Sequence, residues 1–390
     1  MSQDLPNFAI ILVVPRKILQ SIIFVALFSF VFAIPSFAQQ APQFKDSFVQ
    51  GKITKILKQE TEIQNGVTNF VQQFKIQLLS GSDKGKTVSV NLSSDPKDAQ
   101  KLNINEAVVV DVKTSSAGKQ YSIYEPYRLN YLLFALIGFM LLIGLIGGRR
   151  GVGAIIGLLV SVGIIGLWII PQILKGADPL TVSLIGAFAI LVFTTYIAHG
   201  VSLKTTVAIV GTTTAFLFAG WLATTMVSLM HATGLGSEDI YDLQLGVATI
   251  NPQGLLLSGI LIGTLGALND ITTTQAITMF TLVKENPSQK LWDLFTKGMV
   301  IGREHIASLI NTLILAYAGS SLAVLIFFEL NPMHLPWWVI LNNESTMEEI
   351  IKSLVGSSAL ILAVPITTLL ATWVALEGTD AKKFLQSLFG

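Results

Sequence analysis

Apolar and polar residues alternate through residues 39–128, and from Leu129 the apolar positions run in long blocks almost to the end of the chain. The alternating part contains five short segments: Phe48–Lys58, Phe70–Leu79, Lys86–Leu92, Ala107–Lys113 and Gln120–Tyr124. Each is rich in Val, Ile, Phe and Tyr, and turn-formers such as Asn65-Gly66, Gly81-Ser82-Asp83 and Ala117-Gly118 separate them. A period of two with that punctuation predicts strands. Five of them predict a small β domain over residues 45–126, a barrel of the OB or SH3-like type. No convergent polar cluster or aromatic platform marks a ligand site in it, so its expected role is that of a spacer or a contact surface.

The blocks after Leu129 predict seven spans: 129–147, 151–171, 179–198, 205–229, 254–283, 298–328 and 353–376. A helix needs about twenty apolar residues to cross a bilayer. The expected fold class is therefore membrane all-α, a bundle of about seven transmembrane helices over residues 129–376 behind a small extracytoplasmic β-barrel-like domain. Residues 1–38 predict a signal peptide, because Arg16 and Lys17 precede the apolar run Ile18–Ile34 and Ser36-Phe37-Ala38 offers small residues for cleavage. An uncleaved anchor helix is the alternative. Residues 377–390 predict a cytoplasmic tail, with Ala381–Phe389 as a short interfacial helix.

Composition narrows the class. Hydrophobic residues make up 52% of the 390 positions and charged ones 13%, against about 25% charged in ordinary soluble proteins. A net charge of +1 without a basic arm gives no reason to expect a nucleic-acid partner. The chain has no cysteine, which excludes disulfides, thiolate catalysis and thiolate metal sites. Basic residues then set the orientation. With the β domain outside, the inner loops gather Arg149, Arg150, Lys204, Lys284, Lys290, Lys297, Lys382 and Lys383, while the outer loops hold Lys175 among Asp178, Glu238, Asp239, Asp242, Glu344, Glu348 and Glu349. This predicts an extracytoplasmic β domain and a cytoplasmic C-terminus. The outer loops Met230–Asn251 and Glu329–Ile351 suit the headgroup belt, with Trp337 and Trp338 in the second, or form a cap or re-entrant segment.

Two runs exceed what a bilayer needs. Gly254–Val283 and Gly298–Phe328 are each about thirty residues, or roughly 45 Å of helix, so each is tilted, broken or projects. The first carries Asn269 and Asp270, and the second Arg303, Glu304, His305 and Asn311. Ionisable groups at bilayer depth normally face a partner or a wet cavity. Asp270, Thr274, Thr278, Thr281 and Glu285 share one helix face, and Glu304, Ser308, Asn311 and Ala318 share another. Counted from the turn between the runs, Asp270 and Asn311 lie at equal depth. The expectation is a polar seam in which Asp270 meets Asn311, with Arg303 and Glu304 nearer the cytoplasm. Against it stands a structural reading, in which Thr, Ser and Asn only glue helices and Arg303 snorkels.

A faint parallel repeat can also be read, against the alternative of a chance match among small and apolar residues. Lys204, Ala208, Thr213, Ala219 and Gly220 have the spacing of Arg303, Ala307, Thr312, Ala318 and Gly319, pairing the hairpin 180–229 with 257–328.

Enzyme motifs are missing: neither H-E-x-x-H nor G-x-S-x-G occurs, and the four histidines are scattered. Tyr241-Asp242 with Gly266-Ala267-Leu268-Asn269-Asp270 loosely matches aspartyl intramembrane proteases, but Leu268 stands where that family needs glycine. No cofactor is expected. The strings Gly266–Asp270, Gly302-Arg303-Glu304 and Asn311–Gly319 together resemble the YibE/F family of bacterial multi-pass membrane proteins, over residues 45–328. Glu304 stands where the family usually has Asp, and Thr272–Gln275 where it has a serine-rich run. The resemblance implies a bacterial inner or plasma membrane location and permease-like activity.

Together these readings predict a transporter or channel-like permease for a small solute or ion. Asp270 is the expected cation or proton site, Asn311 the co-ligand, Asn269 and Thr274 members of the pathway, and Arg303 with Glu304 a cytoplasmic gate. The alternative is a non-transporting scaffold that recruits a partner through the β domain. Beyond lipid, the expected partners are a second copy in a homo-oligomer or a protein bound by the β domain.

Overall fold

A computed structural model describes residues 47–389 apart from 65–66, 95–100, 116–117, 238–239, 241–242, 244–249 and 332. The signal or anchor expected at 1–38 and the Tyr241-Asp242 pair lie outside the described residues. Chain contacts define two units, one ending at Leu142 and one running from Ile143 to Gly390.

The first unit is built on five antiparallel strands, β1 (Ser47–Gln64), β2 (Val67–Leu78), β3 (Thr87–Ser94), β4 (Ala107–Ser115) and β5 (Gly118–Pro126). Their order in the sheet is β3-β2-β1-β4-β5. Alternation turns one side of each strand inward, so that Phe74, Ile76 and Leu78 of β2 join Ile53, Val90, Val108 and Val110 in a buried core. β1 pairs with β4 over Ser47–Lys52 and with β2 over Gly51–Gln64. Register shifts after Ile53 and Ile56 bend it, and the edges β3 and β5 approach each other as the sheet curls. Asp83, in the β2–β3 turn, accepts hydrogen bonds from Lys119 of β5, from Lys86 at 2.5 Å and from the Tyr121 hydroxyl at 3.1 Å. The two ammonium groups, Lys119 foremost, hold the Asp83 carboxyl far below the usual carboxylate range.

The helices follow in order: α1 (Leu129–Ile164), a π-helical turn (Ile165–Ile169), α2 (Ile170–Leu174), α3 (Pro179–His199), α4 (Leu203–Leu229), α5 (Pro252–Glu285), α6 (Leu291–Ser320), α7 (Leu322–Leu330), α8 (Trp337–Leu341) and α9 (Glu344–Phe389). Among the described residues six helical stretches are long and apolar enough to cross a membrane. Caps explain where several begin. Asp178 accepts from the Thr181 N–H at 2.9 Å ahead of Pro179, and Asn251 accepts from the Gly254 N–H ahead of Pro252.

The stretch Leu129–Leu174 is one of the six, yet it is not straight. Gly148 adopts φ 54° and ψ −136°, which a side chain would disfavour. A Cβ on Gly151 would lie 2.2 Å from the Ile143 carbonyl oxygen, although eight residues of straight helix span about 12 Å. The chain therefore bends sharply just before Arg149, at the point where the sequence pattern separates two spans.

Three boundaries differ from the sequence expectation. The polar turn expected at Lys284–Lys297 is shorter, because α5 continues to Glu285 and α6 starts at Leu291. The run Gly298–Phe328 is broken at Ser321, whose φ of −98° and ψ of 15° leave the helix. The final helix begins at Glu344 within the expected outer loop and continues through Phe389, so the last span and the expected tail helix are one element. Its first two turns hold the loop that follows α4. The Glu344 carboxylate accepts from the Thr233 N–H at 2.6 Å, the Thr233 hydroxyl at 2.7 Å and the Gly234 N–H at 3.0 Å, while Glu348 accepts from the Gly236 N–H at 3.1 Å.

The central element is α5, which packs against α3, α4, α6 and α9. Leu261, Leu268, Ile271 and Met279 are buried along it. Several polar groups on its buried sides bond to neighbouring helices. Thr272 shares a 2.5 Å hydroxyl contact with Thr212 of α4, and the Gln275 amide donates to the Gly298 carbonyl of α6 at 3.0 Å and to the Thr368 hydroxyl of α9 at 2.7 Å. Glycine lets α6 come this close: a Cβ at Gly298 would lie 2.2 Å from Met279 Sδ, and one at Gly302 2.4 Å from Val364.

Candidate functional site

Beside α5 lies a cavity of about 460 Å³, walled by α1, the π-helical turn, α3 and α5. Ala154, Gly157 and Leu158 of α1 supply a small, apolar side. Ser161 and Thr194 also border it, but their hydroxyls donate to carbonyls of their own helices, at 3.0 and 2.7 Å. The groups left with capacity for a ligand are Asn269 and Asp270 of α5 and His199, the last residue of α3.

Asn269 ties the two walls together. Thr195 of α3 places its hydroxyl 2.7 Å from the Asn269 side chain and 2.6 Å from the Leu191 carbonyl. Across the helices the Thr195 hydroxyl donates to Asn269 Oδ1, so it is the NH₂ of the Asn269 amide that is kept for other partners. Arg150, Lys204 and Asp270 all lie within electrostatic reach of His199. Asp270 and His199 thus form an acid and an imidazole on separate helices, at one cavity wall. Among the described residues no group of three or more His, Asp and Glu is placed to hold a metal ion.

The structure brings only part of the expected seam together. Asp270 and Asn269 line the cavity, whereas Asn311, Arg303 and Glu304 do not. All three lie on exposed positions of α6, and among the described residues neither charged one has an ion pair. Thr274 donates to the Asp270 backbone carbonyl at 2.9 Å, and Thr278 and Thr281 likewise bond within α5. The physical reason is azimuth. α6 meets α5 at Gln275, five residues from Asp270, and five residues turn a helix by about 140° from the starting direction. Equal depth was legible in the sequence, but direction was not. His199 gives little signal in the sequence because it closes an apolar run and no Asp, Glu, Lys or Arg shares its helix.

A bundle of membrane-length apolar helices around a polar-edged cavity defines a multi-pass membrane protein. Residues 135–377 match the family profile described as YibE/F-like protein, and the chain belongs to that family. The match starts within α1 and ends in α9, so it is the helical part, and not the strands, that carries membership. No curated protein and no solved structure matches the chain.

Proposed function

We propose that this protein is a permease of the bacterial plasma membrane, passing a small solute or ion through the cavity between α1, α3 and α5. The observation that carries the reading is the placement of Asp270 and His199, from two helices, on that cavity's wall. An acid within a membrane helix is costly unless it serves a pathway or a partner. Asp270 is the cation or proton site, His199 its titratable neighbour, and Asn269 the residue that fixes the wall through Thr195.

Supporting geometry extends to the topology. The bend at Gly148 favours seven spans, with Arg149-Arg150 on the cytoplasmic side. That orientation puts the β domain and the Glu344 latch outside and the C-terminus inside; Lys352, near the outer end of α9, is paired with Glu349 at 2.6 Å. In the β domain, the strand order and the approach of β3 to β5 favour an OB-type barrel.

The test is reconstitution in liposomes, with proton flux read by an entrapped pH-sensitive dye and alkali-cation flux by tracer. Asp270→Asn should abolish flux while insertion and thermal stability persist, and His199→Gln should reduce it. Normal flux in Asp270→Asn rejects the assignment. Loss of cellular phenotype on deleting residues 45–125, with Asp270→Asn tolerated, would instead establish the scaffold reading.

A further inference from the structure

Among the membrane-length helices, α6 is the one left most open. Its buried residues are Leu294, Gly298 and Gly302, all on the side that meets α5 and α9. The opposite side carries Val300, Glu304, Ala307, Asn311, Ile314 and Ala318, at alternating steps of four and three. Val300 and Ile314 are 59% and 47% exposed, and Glu304, Ala307 and Asn311 are exposed as well. A carboxylate and an amide at bilayer depth are poorly solvated by acyl chains. This face has to be covered.

We infer that a second copy of this chain covers it, through a parallel pairing of α6 with α6 across a two-fold axis normal to the membrane. Copies inserted in one membrane share an orientation, so a closed pair sets the two α6 helices side by side in the same direction. Steps of four and three are the repeat of such a pair. Glu304, Asn311 and Ala318 occupy its first position, and Val300, Ala307 and Ile314 its fourth. A first-position side chain enters a hole between four residues of the facing helix, one of them being the residue just before its own equivalent. Glu304 is therefore seated against Arg303 of the second copy, and the reverse contact repeats it. Two reciprocal ion pairs form where the single chain, among the described residues, has none for either side chain. Asn311, the one amide at a first position, meets its own counterpart and fixes register and number of strands.

The match read in the sequence between α4 and α6 points the same way. At the offset that sets Lys204 on Arg303, the α6 positions Glu304, Ala307, Asn311, Ile314 and Ala318 correspond to Thr205, Ala208, Thr212, Ala215 and Ala219 of α4. All five of those α4 residues are buried, none more than 2% exposed. The same face is covered within the chain on α4 and left open on α6. This inference stands apart from the permease reading and survives its failure.

Because the chain has no cysteine, single-cysteine variants of the full-length protein test it in native membranes. Under copper-phenanthroline oxidation, Ala307→Cys, Asn311→Cys, Ile314→Cys and Ala318→Cys should give covalent dimers, and Leu309→Cys and Leu313→Cys on the packed side should not. Arg303→Glu alone and Glu304→Arg alone should each lose the dimer in nanodiscs, and the double exchange should restore it, which separates loss of pairing from loss of folding. Equal cross-linking at all six positions, a monomeric wild-type chain, or a dimer indifferent to both single reversals would overturn the inference. So would an intrachain cross-link from Ala307→Cys to Leu133→Cys or Leu141→Cys, which would show the first half of α1 covering the face.

Discussion

Asp270 and His199 border one cavity from two helices, although they stand 71 positions apart in the chain. What sets that relationship is the packing of α3 on α5, which the Thr195–Asn269 hydrogen bond fastens one position away on α5. Breaking it with Asn269→Leu should lower stability by roughly 0.6–1.7 kcal/mol, the range for interhelical bonds in membranes. Thr195→Val added to that variant should cost little more. A double-mutant cycle in denaturant unfolding checks this: additive losses would show that the two side chains are not coupled.

Gly302→Val drives a branched side chain into Val364, only 2.4 Å beyond the position of a Cβ. Overpacking of this kind costs about 1–3 kcal/mol or more. The expected outcome is a lower thermal midpoint with α6 loosened from α9, seen as faster proteolysis in the 286–290 turn. Gly319→Ala, with open space around its Cβ, should leave both unchanged.

Removing the Glu344 carboxylate should free the loop at 233–236. Hydrogen bonds to charged groups are worth about 1.5–3 kcal/mol, so Glu344→Ala should speed amide exchange of Thr233 and Gly234 by about tenfold or more. Hydrogen–deuterium exchange in detergent measures it. Unaltered protection would mean that the loop is held by other contacts.

Asp83 gives the β domain a defined acid sensitivity. Its carboxyl titrates below the ordinary aspartate value in the folded state, through Lys119, Lys86 and Tyr121. The stabilisation is thus fully present above the unfolded value of about 3.9 and fades as pH falls through the folded one. Calorimetry of the sheet's unfolding between pH 6 and 2 should show a midpoint falling below about pH 4. In Asp83→Asn that dependence should shrink, with a lower midpoint at pH 6.

The strands and most spans were legible because each leaves a period or an unbroken apolar run. Gln275, by contrast, gave no warning. It stands among threonines on α5, and only the structure shows it fully buried between α6 and α9. Asp270 and Asn311 illustrate the same limit, since counting from a turn fixes height and says nothing of direction. The break at Ser321 was equally hidden, as serine is common within membrane helices and nothing in its neighbours forbids continuation. His199 needed the one fact a single sequence withholds from an apolar helix, namely which of its sides is inward.

The bonds from Gln275 to the Gly298 carbonyl and Thr368 hydroxyl, with Thr212–Thr272 and Thr195–Asn269 beside them, rivet α3, α4, α5, α6 and α9 to a common frame. Sliding any of these past α5 ruptures a desolvated polar contact. The facing panel of α1 touches the cavity through Ala154, Gly157, Leu158 and Ser161, and none of those rivets involves it. Any widening of the cavity that spares those contacts therefore falls to α1, with Asp270 held in the riveted frame.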